Sequence, residues 1–561
     1  MADFKLTYAT MFNPPEALHD GFDMAVAKLK ANLGREYGMI IEGKDVFADE
    51  KFDDHSPVNT DWVLARMQKG NATHANMAIA AARKAFPSWS RTPWQKRVQL
   101  VRKACALIEK RIFELGAAMA LEVGKNRMES LGDVQETADL MYYSAQMMEE
   151  NNGFIKSMGK DPLVGYDSTN TSVLRPYGVW LIISPFNFPF ALTGGPTGAA
   201  LVAGNTVVIK PALDTAWIVR LFADCLRDAG IPDGVFNFVT GDGSVVGQAL
   251  VDNPEVDGVT FTGSFDVGMK INQSFARRNY IRPVILELGG KNPAIVSRNA
   301  NLEDAATGIV RSAFGLQGQK CSAASRVIVE DAVYDDLIAK LKVKTDALVI
   351  GDPTDRTTYL GPVINQRSYG EFKEFNEEIS GAGGRFLTGG NVKTGGMFDK
   401  GYYCEPTLVT DLPFSHRLWQ HEMFLPITTI GKVSNLDEAM NIANSVSYGL
   451  TAGFYGSQKE TAWFFDNIQA GVTYANRPQG ATTGAWPGFQ PFGGWKGSGS
   501  SGKNGGGYYY VQLYMHEQIQ TLIKPAPANK TKKAAPKKAV KKVSKKTGKA
   551  SSSNKKTAMR K

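Results

Sequence analysis

The pattern of apolar and polar positions changes character twice along this chain. From residue 75 to 150 the sequence is rich in alanine. Apolar residues there recur at spacings of three and four, as in Val98-Gln99-Leu100-Val101 and Ala106-Leu107-Ile108. That period lays an apolar stripe along a helix, so it predicts a helical segment. From about 175, short apolar runs alternate with helical stretches. Val179-Trp180-Leu181-Ile182-Ile183 predicts a buried strand and Thr206-Val207-Val208-Ile209-Lys210 the next. Val235-Phe236-Asn237-Phe238-Val239 follows, then Gly241-Asp242-Gly243 opening a helix, and Val259-Thr260-Phe261 running into Thr262-Gly263-Ser264. Strands separated by helices pair in parallel, which predicts a doubly wound sheet. A second alternating region begins with Val284-Ile285-Leu286 and Ala294-Ile295-Val296 and runs to about 485, which places a lobe boundary near 283. The expected fold class is α/β, with two doubly wound lobes.

Two flanking segments, 155–175 and 500–523, are rich in polar and aromatic residues and are expected to form an outlying strand pair used for association. Beyond them, 524–561 is Lys, Ala, Ser, Thr and Pro with almost no large apolar residue. Such a segment cannot bury enough surface to offset its chain entropy and is expected to be disordered. It also relocates the charge. The whole chain is +9, yet this tail holds fifteen Lys and Arg and no acid, leaving −6 on the first 523 residues. The basic character is therefore that of a tail suited to weak polyanion binding, with no interleaved aromatic residue for base stacking.

Cysteine and histidine usage narrows the chemistry. Cys105, Cys225, Cys321 and Cys404 lie far apart with no CxxC spacing, and the six histidines show no ligand spacing. Neither a disulfide framework nor a metal site is expected, and a reducing compartment fits. Met1-Ala2-Asp3-Phe4-Lys5 has an early acid and no apolar core. The longest apolar stretch, 177–190, is interrupted and too short to span a bilayer. Cytoplasmic residence is the expectation, or the mitochondrial matrix in a eukaryote.

Candidate chemistry centres on Cys321, in Gly318-Gln319-Lys320-Cys321-Ser322, and on Glu287, in Leu286-Glu287-Leu288-Gly289-Gly290-Lys291. Small neighbours let a substrate approach the thiol, and a carboxylate from a separate turn supplies a base. Together they provide what is needed to form and hydrolyse a thioester. A thiolate adding to an aldehyde creates an oxyanion, and Asn187, directly after a buried strand, offers an amide donor to it. The tetrahedral species must then lose hydride, for which a nicotinamide is the natural acceptor. A GxGxxG fingerprint is absent, since Gly241-Asp242-Gly243-Ser244-Val245-Val246-Gly247 is one residue too long. Gly263-Ser264 at a strand-to-helix turn presents N–H groups to a pyrophosphate instead. Lys210, ending a strand at the sheet edge, is placed for the adenosine ribose.

The combination resembles the aldehyde dehydrogenase superfamily over about residues 60–520. The matching motifs are Ser184-Pro185-Phe186-Asn187-Phe188-Pro189, Val208-Ile209-Lys210-Pro211, Phe261-Thr262-Gly263-Ser264, Leu286-Glu287-Leu288-Gly289-Gly290-Lys291, Gly318-Gln319-Lys320-Cys321, Glu422-Met423-Phe424-Leu425-Pro426 and Pro491-Phe492-Gly493-Gly494. The resemblance implies Cys321 as nucleophile, Glu287 as base for hydrolysis, and Asn187 with the Cys321 N–H as oxyanion hole. It implies Ser184, Phe186, Lys210, Gly263, Ser264, Leu288, Glu422 and Phe424 around the dinucleotide. It also implies a dinucleotide-binding lobe over 1–154 and 176–283, with an N-terminal helical segment, and a catalytic lobe over 284–499. The strand pair 155–175 and 500–523 becomes an oligomerisation flap of a homodimer or larger homo-oligomer.

Within the superfamily the chain is most similar to the branch that oxidises glutamate γ-semialdehyde. Ser322 after the nucleophile, Thr483-Gly484-Ala485 ahead of Pro491-Phe492-Gly493-Gly494, and the glycine-rich end through Tyr509 carry this likeness. It implies that Gly484, Ala485 and Ser322 bind the substrate carboxylate, that Phe188 and Phe492 sandwich its methylenes, and that Glu136 lines the site. Leu213 stands three residues after Lys210, where many NAD-preferring relatives have Glu. NAD is the expected cofactor, and without that carboxylate NADP is not repelled. The alternatives are another small semialdehyde, such as succinate semialdehyde, or a non-enzymatic scaffold on the same fold.

Overall fold

A computed structural model of the protein describes Leu6, residues 14–277 and residues 280–525. The expected helical stretch forms four helices, Ala72–Arg91, Trp94–Lys110, Ile112–Val123 and Arg127–Glu150. Their ends follow local chemistry. Asn71 accepts from the N–H groups of Thr73 and His74, and Asn126 from that of Glu129, each satisfying donors the first turn leaves free. Gly124 ends the third helix at φ 78°, where a side chain would meet the Pro362 carbonyl at 2.7 Å.

The first sheet has seven strands. Its parallel part runs Val284–Glu287, Gly258–Thr262, Val179–Ile183, Thr206–Lys210, Phe236–Phe238. Two short strands, Met39–Ile41 and Lys44–Val46, extend it antiparallel. Both faces are covered, which is why the strands read as unbroken apolar runs. Trp180, Ile182, Val207 and Ile209 pack with helices Trp94–Lys110 and Ala216–Asp228 on one side. Val179, Leu181 and Val208 pack with helix Ala72–Arg91 on the other. The second sheet also has seven strands, parallel except for its edge strand Arg385–Thr388. Its interior strand Asn292–Val296 alternates Ala294 and Val296 towards one core and Ile295 towards the other.

Four expectations change. The boundary near 283 cuts through the first lobe, because Val284–Glu287 pairs in parallel with Gly258–Thr262 and is an edge strand of the first sheet. The second sheet starts only at Asn292. The segment ahead of the four helices is not purely helical: after helix Glu16–Lys30 come five strands between Arg35 and Gln68, two of which join the first sheet. The strand ended by Lys210 is interior rather than at the sheet edge. Finally, the three-stranded flap consists of Ile155–Ser157, Tyr166–Pro176 and Met515–Pro525. Residues 500–514 belong to the body, with Tyr510, Val511 and Tyr514 buried in its core. Of the Lys-rich tail, Lys524 and Pro525 end the flap strand, and residues after 525 lie outside the described part.

Candidate active site

Cys321 is half-buried where the other three cysteines are fully buried, which separates it from three inert packing residues. It follows an unusual turn. Leu316, Gln317 and Gly318 all adopt left-handed backbone, with φ of 47°, 54° and 66°. Two of these are not glycine, and each such residue costs about 1–2 kcal/mol, so the surroundings must hold the turn in place. They do so with hydrogen bonds. The Gln317 Nε2 amide donates to the carbonyls of Gly124 and Pro362 at 2.8 and 2.9 Å. Asn292 Nδ2 donates to the Cys321 carbonyl at 2.7 Å and to that of Ala323 at 3.0 Å.

The thiol opens on a cavity of about 530 Å³ between the two sheets. Glu287 lines the same cavity from the end of its edge strand, paired with Thr262 on one side and bridged to Gly499 on the other. Its Oε2 is buried with no hydrogen-bond partner among the described residues. Loss of solvation pushes its carboxyl up to about 8. Burial, then the nearby carboxylates of Glu422 and Glu287, push the Cys321 thiol up to about 12, against the opposing pull of the Ser322 and Cys321 N–H groups. The resting nucleophile is therefore a thiol that needs a base at the moment of attack.

Glu136, Phe188, Ser322, Gly484, Ala485 and Phe492 line this cavity too, so the structure brings together every expected substrate-binding residue. Burial, with Asp133 nearby, pushes the Glu136 carboxyl up to about 8. Phe188 is fixed by a buried ion pair beside it: Lys125 Nζ lies 2.7 Å from Asp133 Oδ2 and 3.6 Å from the Phe188 ring centre. Gly484 has φ 147°, and a side chain there would strike the Arg477 guanidinium. Asn187 is buried at the end of Val179–Ile183 but is not among the residues lining the cavity.

Ser184, Phe186, Lys210, Gly263, Ser264 and Leu288 follow or end strands of the first sheet, while Glu422 and Phe424 come from the loop ahead of the second-sheet strand Ile427–Val433. The Ser184 N–H donates to the Lys210 carbonyl at 3.1 Å, while the Ser184 hydroxyl is buried without a partner among the described residues. Lys210 Nζ donates to the Pro211 carbonyl at 3.0 Å, and burial pulls its ammonium down to about 8. Gly263 donates its N–H to the Glu287 carbonyl, and Ser264 heads the twelve-residue helix Phe265–Ala276 without using its side chain as a cap. Leu288 packs towards Gly268 of that helix. Phe186 and Phe424 meet edge to face at 5.7 Å, Phe424 at φ 56°. Glu422 Oε1 accepts the Gly290 N–H at 2.8 Å, and burial pushes its carboxyl up to about 7. A buried hydroxyl lacking a partner, a helix N-terminus and an ammonium, all at the carboxyl ends of neighbouring strands of the first sheet, form a donor set that fits a dinucleotide.

The aldehyde dehydrogenase family model matches residues 46–519. The chain belongs to the aldehyde dehydrogenase family. Among curated relatives of this aldehyde dehydrogenase, the 1-pyrroline-5-carboxylate dehydrogenase of Geobacillus sp. (strain WCH70) is 39% identical over 516 residues, which is 90% of this chain and 96% of the relative. The 1-pyrroline-5-carboxylate dehydrogenase 2 of Bacillus subtilis (strain 168) is 38% identical over 509 residues, with the same coverage. The 1-pyrroline-5-carboxylate dehydrogenase from Thermus with bound NAD superposes with a TM-score of 0.86 at 32% identity, over 94% of this chain and 100% of that one. The aldehyde dehydrogenase cavity also holds groups the sequence motifs did not single out: Thr260, Arg311, Arg477, Trp486 and Tyr510. Arg311 comes from helix Leu302–Phe314 and Tyr510 from a run of three tyrosines, and the folded chain brings both to the cavity wall.

Proposed function

We propose that this aldehyde dehydrogenase oxidises L-glutamate γ-semialdehyde, formed by ring opening of Δ1-pyrroline-5-carboxylate, to L-glutamate. This is the second step of proline catabolism. The observation that carries the reading is Cys321, the one half-buried cysteine, lining with Glu287 a cavity also lined by Ser322, Gly484 and Ala485. Those three provide a hydroxyl and backbone N–H groups for the α-carboxylate, and Phe188 and Phe492 cover the methylenes between it and the aldehyde. The thiol of Cys321 adds to the aldehyde carbon, with its proton passing to a base, and Asn187 with the Cys321 N–H steadies the oxyanion. NAD, held by Ser184, Phe186, Lys210, Gly263, Ser264, Leu288, Glu422 and Phe424, supplies the hydride acceptor when bound. A Cys321 thioester remains. Glu287 takes a proton from water, the water oxygen bonds the acyl carbon, the C–S bond breaks, and the acid leaves as Cys321 recovers its proton.

The relatives' printed activity supports the substrate assignment, and Leu213 leaves room for a 2′-phosphate. The test is cofactor reduction with pyrroline-5-carboxylate against succinate semialdehyde, each with NAD and NADP. We expect kcat/KM at least tenfold higher for the first substrate, with NAD preferred. A preference for succinate semialdehyde would overturn the assignment. The flap associates with a second copy of the chain to form a homo-oligomer. The Lys-rich tail binds polyanions weakly: truncation after Pro525 should abolish retention on DNA at low salt, and unchanged retention would end that reading. Among the described residues no helix is long and apolar enough to cross a membrane, and free cysteines suit a reducing cytoplasm.

A further inference from the structure

A line of buried hydroxyls runs from the core of the first lobe to the cavity wall. Trp180 Nε1 donates to Thr260 Oγ1 at 2.9 Å. Thr260 Oγ1 lies 3.1 Å from the Tyr514 hydroxyl, and Tyr514 donates to the Tyr510 hydroxyl at 2.8 Å. The direction of this chain follows from its last bond: Tyr514 spends its one proton on Tyr510, so its oxygen accepts from Thr260. An indole N–H only donates. Thr260, already accepting it, is polarised to donate onwards, and the same bias passes to Tyr514 and then to Tyr510. The last proton, on the Tyr510 oxygen, has no acceptor among the described residues.

The sheet register points that proton towards the base. Thr260 pairs with Ile285 and Thr262 with Glu287 in neighbouring parallel strands. Side chains two residues apart share a face, so Glu287 lies on the face of Thr260, the one covered by Tyr510 and Tyr514. Tyr510, Thr260 and Glu287 line the same cavity, and Glu287 keeps Oε2 buried and unpartnered there. The Glu287 carboxylate also acts on both phenols, opposing their ionisation, so they stand within electrostatic reach of it. The chain ends in Trp180, which is fully buried, so it is no proton exit to solvent. It is a fixed donor.

We propose that Tyr510 is a positioning residue for Glu287: its O–H, aimed by the Trp180–Thr260–Tyr514 chain, holds the ionised carboxylate on the Cys321 side of the cavity during thioester hydrolysis. This rests on the Cys321–Glu287 chemistry proposed above. Tyr510→Phe removes the donor and also takes away the acceptor of the Tyr514 O–H. Hydride transfer, read as the first-turnover burst of cofactor reduction, should be unchanged. Hydrolysis should slow about three- to tenfold, the worth of one hydrogen bond, with acyl-Cys321 accumulating by intact mass. The pH midpoint of hydrolysis should rise, a shift that mere loosening of the fold does not produce. Tyr514→Phe leaves the Tyr510 hydroxyl but cuts its orientation, and should move the midpoint the same way by less; it carries the test if the first variant fails to fold. An unchanged midpoint and hydrolysis rate in the folded variants would overturn the proposal. Propionaldehyde run in parallel separates the two readings. Thioester from propionaldehyde but not from the semialdehyde would overturn the substrate assignment and leave the Tyr510 test intact.

Discussion

Cys321 and Glu287 share one physical circumstance: each is withdrawn from water, and withdrawal favours the uncharged form of both. Hydrolysis requires Glu287 as carboxylate, so the rate of thioester release should climb with pH through about 8. Glu287→Gln should flatten that profile, slow release by roughly 100-fold or more, and accumulate acyl-enzyme by mass. The same shift has a stability sign. A carboxyl raised from 4.5 to about 8 in the folded protein contributes stability that is present below the ordinary value and lost as pH rises through the folded one. Glu287→Gln should therefore melt higher than the parent at pH 9, with the difference closing towards pH 4. Cys321→Ser should reduce turnover by about a thousandfold or more while leaving dinucleotide affinity, measured by calorimetry, within twofold of the parent. At this scale the sequence was highly legible. Each of these residues sits inside a motif whose small neighbours announce close approach, whereas Tyr510 had only two other tyrosines beside it.

The turn before Cys321 shows what an element adds. Gly318 is left-handed, and a side chain there would lie 2.3 Å from the Leu425 carbonyl. Gly318→Ala should cost about 2 kcal/mol or more in stability, seen as a lower thermal midpoint. It should also reduce kcat at least tenfold, because the same backbone aims the thiol. The glycine was visible in the sequence; the left-handed Leu316 and Gln317 were not, since neither side chain favours that conformation. They adopt it because the Gln317 amide spans the carbonyls of Gly124, 193 residues before it, and Pro362, 45 residues after it. The strand Val284–Glu287 teaches the same lesson. Its apolar pattern predicts a strand, but pattern does not name the neighbour, and hydrogen bonding to Gly258–Thr262 assigns it to the first sheet.

For the whole molecule, the flap strand Met515–Pro525 leaves Ile519 at 57% and Leu522 at 54% exposed. Large apolar side chains in solvent on a peripheral sheet fit burial against a second copy. Replacing both with Glu should reduce the solution mass measured by light scattering to that of one chain, with the thermal midpoint falling as the interface is lost. An unchanged oligomer would exclude this strand from the contact. The sequence by itself determined the α/β class, the helical segment before the first lobe and the Cys321–Glu287 pair. Period, composition and motif are local properties of a chain, and each of these conclusions needs only a dozen consecutive residues at a time. The tertiary structure alone decided which sheet owns Val284–Glu287, that 500–514 packs into the body, and that Tyr510 lines the same cavity as Glu287. Those are pairings between distant segments, chosen by where apolar faces and backbone donors are jointly satisfied, and no single stretch of sequence contains that choice.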